Sequence, residues 1–348
     1  MSGGESEVNL RNITLKRISL VFAVVALVLA VTFSLVFYLK SQLLFAEDVE
    51  TVTLGMEPNQ VNALIYVAEN QSYFASNGLN VTVKDYASGS AAVEGMLNGE
   101  VDIATATEFV LASKALSDEQ VSAFTSITEF QHIYLLGRTD KGVVNVSDLE
   151  GKRIGLPLKT AAEFYLGKFL DLQGLSINHV SLVNVAPAES IEALVNGSVD
   201  AVVAWQPNVD VLLDQLGEGL TVWKVQSEQS AYDLVISTNS WVAGHAEGIN
   251  RFLKALVQAE SYLTNNPSQV KTMIKEHFGY DDVFIEEVWH QYQFSLSLKQ
   301  ATILAMEDEA RWMIDNNLTN SVVVPDFLKH LYLEGLETIK PESVNIIA

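Results

Sequence analysis

Asn98-Gly99-Glu100-Val101-Asp102 and Asn196-Gly197-Ser198-Val199-Asp200 are one phrase written twice, 98 residues apart. Upstream of each copy the apolar residues share a helical register, Val93, Met96 and Leu97 in the first and Ile191, Leu194 and Val195 in the second, with Glu94 aligned to Glu192. Apolar residues at i, i+3 and i+4 give a helix one buried face, and the following Gly suits the left-handed residue that ends it. Val101–Ala106 and Val199–Ala204 then read as strands. Two such units at a fixed offset predict two similar βαβ halves with a cleft between them.

Outward from the first copy, Thr51–Gly55 alternates like a strand. Glu57-Pro58-Asn59-Gln60 opens a helix through Ala63, Leu64, Val67 and Ala68, with Pro58 in its first turn. Gly78–Val83 is the next strand and Ser88-Gly89-Ser90 the next helix start. Phe130–Arg138 (FQHIYLLGR) reads as one apolar strand, after which the order restarts. Arg153–Leu156 is a strand, Thr160–Leu172 a helix, Val180–Val185 a strand, and Tyr232–Thr238 a further strand before the pattern turns helical to the end. The βαβαβ order predicts parallel sheets covered by helices. The chain would cross between the lobes near Arg138–Gly142 and Glu228–Asp233, placing 51–138 and 233–348 in lobe I and 139–232 in lobe II. Two crossings form a natural hinge.

The first 50 residues are separate. Ile18–Leu39 is an uncharged run of 22 residues, long enough as a helix to span about 33 Å against a hydrocarbon thickness of about 30 Å. Arg11, Lys16 and Arg17 precede it and only Lys40 follows directly, so the positive-inside rule leaves residues 1–17 in the cytoplasm and the rest outside. The run exceeds the usual apolar core of a cleaved signal peptide, and Leu44-Phe45-Ala46 is a poor cleavage site. It reads as an uncleaved single-pass anchor in the cell membrane, with 40–50 as a short linker. Residues 1–40 carry four of the 21 basic and two of the 43 acidic side chains, leaving 17 against 41 beyond them. Such a surface repels nucleic acid and anionic lipid. With no cysteine there is no disulfide, thiolate metal site or cysteine nucleophile.

Enzyme signatures are missing. The six histidines are scattered, and no His-Glu-x-x-His, Gly-x-Ser-x-Gly or phosphate-loop pattern occurs. No catalytic residue, cofactor or metal is expected. Ligands of open α/β sheets bind beyond the carboxyl ends of the strands, where four loops gather: Glu57-Pro58-Asn59, Ser88-Gly89-Ser90, Thr105–Glu108 and Lys159-Thr160-Ala161. Unpaired N–H groups at helix starts suit a sulfonate, carboxylate, nitrate or phosphate, although Ser88, Ser90 and Thr160 would serve equally well as caps of their own helices. Lys159 at a helix start is compensated either by Glu163 or by an anionic ligand. Trp205-Gln206-Pro207 ends the strand of the second repeat, where Trp205 gives the cleft a flat wall or packs between the lobes. Glu57 and Glu108, at equivalent strand ends, accept hydrogen bonds from amino groups or stay solvated. Together these walls suit a zwitterion or an amino-heterocycle.

Over about residues 50–348 the chain resembles the solute-binding proteins of ABC importers, in the family with nitrate-, sulfonate-, taurine- and pyrimidine-precursor-binding members. The stretches that carry the likeness are Ile65-Tyr66-Val67-Ala68, Tyr73-Phe74, Asn77-Gly78-Leu79-Asn80-Val81, Ser88-Gly89, both Asn-Gly-x-Val-Asp phrases, Asp148–Gly155, Ala162–Leu166 and Trp205-Gln206-Pro207. The resemblance implies a two-lobed type II periplasmic-binding-protein fold, each lobe a mostly parallel sheet with helices on both faces, here behind an N-terminal transmembrane helix. It implies a monomer that closes on a small solute and delivers it to an ABC permease and its ATPase. Contacts are expected from Glu57, Asn59, Ser88, Gly89, Ser90, Thr107, Glu108, Lys159, Thr160, Trp205 and Gln206. Two residues depart from the family pattern: Lys159 stands where members often carry Gly, and Glu57 where pyrimidine-precursor binders tend to carry an aromatic. The related fungal pyrimidine synthases use a cysteine-rich motif that this chain lacks. A sensory ectodomain fits less well, since only 17 residues precede Ile18; a biosynthetic enzyme on the same fold is the other alternative.

Overall fold

The computed structural model describes residues 49–226 and 229–347, together with Thr32 and Ser34, both helical. The rest of the expected anchor over Ile18–Leu39, the N-terminus before it and most of the expected 40–50 linker lie outside the described residues. Among the described residues no helix is long and apolar enough to cross a membrane. From Glu50 onward the chain forms one unit.

Among the described residues eleven strands make two sheets. The first runs β11 (Tyr292–Ser297), β4 (Val121–Phe130), β10 (Ala231–Thr238), β3 (Ile103–Thr107), β1 (Glu50–Met56), β2 (Leu79–Asp85). The second runs β7 (Ser181–Asn184), β6 (Arg153–Leu156), β8 (Ala201–Ala204), β5 (Tyr134–Arg138), β9 (Leu220–Lys224). In the first, β10 lies antiparallel between β3 and β4; in the second, β5 lies antiparallel between β8 and β9. β10 and β5 are each the first strand reached after a crossing, and β11, antiparallel to β4, is reversed as well. The remaining order, β2-β1-β3 and β7-β6-β8, is the same parallel triplet twice.

The repeated phrase builds this triplet. Helix α2 (Gly89–Leu97) stops at Asn98, and Gly99 turns the chain with φ +75°; Gly197 does the same at φ +78° after its own helix. The aspartates that follow clamp the neighbouring strand. Asp102 Oδ2 accepts from the Thr53 N–H at 2.7 Å and from its hydroxyl at 2.6 Å. Asp200 Oδ2 accepts from the Arg153 N–H at 3.0 Å, and Oδ1 from the Arg153 guanidinium at 2.8 Å. Asp102→Ala leaves the Thr53 N–H without that acceptor, so a loss of about 1–3 kcal/mol in stability is expected. The urea midpoint measures it, and an unchanged midpoint would remove the clamp from the folding energetics.

The expected strand Phe130–Arg138 is two strands in different sheets. β4 ends at Phe130, the chain crosses at Gln131–Ile133, and Tyr134–Arg138 joins the second sheet. The run reads as continuous because the crossing is itself buried, His132 and Ile133 being 3% exposed. The return crossing lies between β9 and β10. Gln226, fully buried, ties the crossings together: its Nε2 donates to the carbonyls of Phe130 (2.9 Å) and Gln229 (3.2 Å), and its Oε1 accepts from the His132 N–H (2.9 Å). Val225 N donates to the Ile133 carbonyl at 3.1 Å.

A second seam joins the lobes. Helix α4 (Ala161–Leu172), which follows β6, packs on α3 (Glu108–Leu116) and α8 (Gln300–Asp315) of lobe I. Phe164 of α4 meets Phe109 at a ring distance of 6.2 Å and Trp312 edge-on at 5.6 Å. The main core therefore continues from lobe I into α4, and a smaller core of Leu136, Val185, Leu194, Val199, Val202, Val209 and Leu212 fills the far side of lobe II.

Candidate functional site

The carboxyl ends of both parallel triplets open on one cleft, with about 660 Å³ of space between its walls, open solvent included. Lobe I contributes Glu57, Asn59, Asn62, Ser88, Gly89, Ser90, Thr105, Thr107 and Asp233; lobe II contributes Pro157, Thr160, Pro187 and Trp205; Phe130, His132 and Ile133 form the floor. Of the residues expected at the site, the cleft gathers Glu57, Asn59, Ser88, Gly89, Ser90, Thr107, Thr160 and Trp205. Glu108, Lys159 and Gln206 do not line it.

Each placement has a local cause. Asn59 is the true cap of the first turn, its Oδ1 accepting from the Val61 N–H at 3.1 Å, so Pro58 stands before the helix and not within it. Ser88 caps α2 through the Ala91 N–H at 3.2 Å, leaving Ser90 in the first turn beside the unpaired N–H groups that any helix start presents. Thr160 does not cap α4; its hydroxyl donates to the Pro157 carbonyl at 2.7 Å.

Glu108 is the first residue of α3, yet it is wholly buried beneath β10. One carboxyl oxygen accepts from the Tyr232 N–H at 2.9 Å and the other has no partner among the described residues. Burial pushes its pKa up to about 8. Glu309 of α8, also fully buried, is pushed well up by burial and by the Glu108 charge. Lys159 is exposed with φ +61°, a left-handed conformation that glycine takes most easily. Its backbone N–H donates to Glu163 at 2.8 Å, so Glu163 answers the main chain at this turn. Gln206 turns its side chain to Asp210 at 2.8 Å, while its carbonyl accepts from Gln60 Nε2 of lobe I at 3.3 Å, a bond between lobes.

Asp233 and His132 are the titratable wall residues that escaped sequence reasoning. Asp233 interrupts the apolar strand Tyr232–Thr238, and that interruption was the available signal. It is 6% exposed with Oδ2 unpartnered among the described residues. Burial and then the Glu57 charge raise its pKa to about 8. Glu57, half-buried, is raised to about 7 by loss of solvent, against a hydrogen bond with Asn59. His132 stacks on Phe130 at 4.3 Å and lies 6.1 Å from the Trp205 ring; burial lowers its pKa to about 3, so it is neutral across the physiological range. No lysine or arginine is among the described residues that line the cleft. The cleft can therefore offer hydroxyls and helix-start N–H groups, two protonatable carboxyls, and aromatic surface, without a formal positive charge.

Comparison with known proteins follows this geometry. The family described as NMT1/THI5 like matches residues 59–270, more than half of the chain. The taurine-binding periplasmic protein of Escherichia coli is 24% identical over 225 residues, 64% of this chain and 69% of that protein. The formylaminopyrimidine-binding protein of Halalkalibacterium halodurans is 24% identical over 236 residues, 66% and 71% respectively. The match spans 63% of the length of putative binding proteins from Brucella, at 21% identity over 207 residues, or 58% of this chain. Among solved structures, the alkanesulfonate-binding protein of Xanthomonas axonopodis superposes with a TM-score of 0.70 at 16% identity, covering 82% of this chain and 99% of that one. That last likeness is one of fold: two α/β sheets in the periplasmic-binding-protein arrangement.

Proposed function

The chain belongs to the NMT1/THI5-like family, and from that premise we propose that it is an extracytoplasmic solute-binding protein of the sulfonate- and taurine-binding type. It captures a small amino-bearing solute by lobe closure and hands it to an ABC permease. Relatives named for taurine and for formylaminopyrimidine support the class. The observation that carries the amino group is the cleft itself, with Glu57 and Asp233 in its wall and no cationic side chain lining it. A taurine-like zwitterion sets its ammonium against these carboxyls and its sulfonate toward the Ser88–Ser90 helix start and Thr160. An aminopyrimidine sets its exocyclic amine against the same carboxyls and its ring along Trp205. The 22-residue apolar run at Ile18–Leu39 supports tethering to the membrane, and carbonate-resistant membrane fractionation of the full chain tests it.

Calorimetric titration compares taurine with ethanesulfonate, and an aminopyrimidine with nitrate. The amino-bearing probe of at least one pair is expected to bind tenfold or more tightly than its amino-free counterpart, about 1.4 kcal/mol. Equal binding of ethanesulfonate and taurine, with no aminopyrimidine binding, would overturn the amino reading.

A further inference from the structure

Asp233 and Glu57 sit on either side of the end of β3. Asp233 pairs with Thr107 across the β10–β3 ladder, while Gly55 of β1 pairs with Ala104, so Glu57 leaves β1 at nearly the same level. One intervening strand sets the two backbones roughly 10 Å apart, and both side chains face the cleft between them. The groups around them add no positive charge. Glu108 approaches Asp233 from α3, neutral His132 stands on the floor, and Tyr66, Tyr280 and Tyr292 are the phenols that feel Glu57. Two carboxyls in one poorly hydrated wall, one of them with an oxygen that nothing among the described residues satisfies, cannot both hold a charge cheaply.

We propose that Asp233 and Glu57 act as a carboxyl couple flanking the solute site, through which the protein exchanges a bound proton for the cationic end of its solute. This rests on the amino-bearing reading above and adds its stoichiometry. In the empty cleft the couple holds a proton near neutral pH, because burial raises both groups and the Glu57 charge raises Asp233 further. An ammonium or protonated ring nitrogen placed between them supplies the missing positive charge and lowers both pKa values, so a proton leaves as the ligand enters. The sign follows: raised in the empty protein and lowered in the complex, the couple supports binding fully above about pH 8 and progressively less as the pH falls through the empty-state values. The couple also sets specificity, since a solute without a cationic end displaces no proton and meets a neutral wall.

Two measurements test this. First, carbon-13 carboxyl shifts of the ligand-free protein are followed against pH. Glu57 and Asp233 are expected to titrate near neutrality, and Glu57→Gln to lower the Asp233 titration while burial keeps it above the ordinary carboxylate range. Ordinary values for both overturn the couple whatever the ligand proves to be. Second, taurine and an aminopyrimidine are titrated at pH 7 in two buffers of different ionisation enthalpy. Release of about one proton is expected for the probe that binds, with affinity falling up to about tenfold per pH unit below neutrality. Asp233→Asn and Glu57→Gln should each reduce the release. Binding with no proton released and no pH dependence overturns the exchange while leaving the amino-bearing reading intact. If neither probe binds, the ligand reading fails, and the carboxyl titration still decides the couple.

Discussion

Gly167→Ala is expected to lower the unfolding temperature, although alanine is the better helix former. Gly167 lies within α4, where alanine would ordinarily gain about 1 kcal/mol over glycine. Here an added Cβ would sit 2.1 Å from Trp312 Cζ2 and 2.7 Å from Cε2. The indole is rigid, 5% exposed and held edge-on by Phe164, so α4 must move from α8 or the ring must leave its place. Overpacking of this kind costs about 1–3 kcal/mol, and so close an approach to a rigid ring belongs at the upper end, leaving a net loss of up to about 2 kcal/mol over the helix gain and a midpoint lowered by up to roughly 3 °C. Gly167→Leu should cost more, and Trp312→Leu in the same chain should restore part of the loss. A rise in melting temperature for Gly167→Ala by calorimetry would show that the two lobes do not meet there.

Trp205→Ala should weaken ligand binding at least tenfold, about 1.4 kcal/mol, while leaving the protein folded. The residue directly follows β8 and is half-buried against the floor, its ring 6.1 Å from His132. The small core of lobe II closes without it, and it reaches the main core only as a half-buried residue at its margin. Truncation thus removes flat apolar surface from the cleft and little from the interior. Calorimetry with taurine and an aminopyrimidine measures the affinity, and far-ultraviolet circular dichroism the fold. Unchanged affinity with both probes would take Trp205 out of the site.

What the sequence disclosed was set by periodicity. The duplicated phrase, the helix register before it and the strands after it were all legible, because a buried face imposes spacing on the chain. The crossing at Gln131–Ile133 was not: a connector packed into the core is as apolar as a strand, so Phe130–Arg138 carries no mark of where it changes sheets. The site was half legible for a related reason. Loop positions such as Ser88 and Trp205 follow from strand ends, but side-chain direction does not. Glu108 and Asp233 face each other's elements, and only the antiparallel entry of β10 turns one inward beneath the sheet and the other into the cleft. An aspartate inside an apolar strand was the one local sign, and Lys159 at φ +61° showed none.

Gln226 gives the two connectors a property neither has alone. Separate single strands twist and slide independently, so two lobes joined by them can rotate about any axis and shear past each other. With one buried amide binding Phe130, His132 and Gln229 at once, the pair becomes a ribbon, pliable across its face and stiff within its plane. Motion on the microsecond-to-millisecond scale of hinges is thereby confined to a swing. Under the proposed solute-binding function, the two halves of the cleft would return to the same register at each closure, and a solute would meet the same wall at every capture.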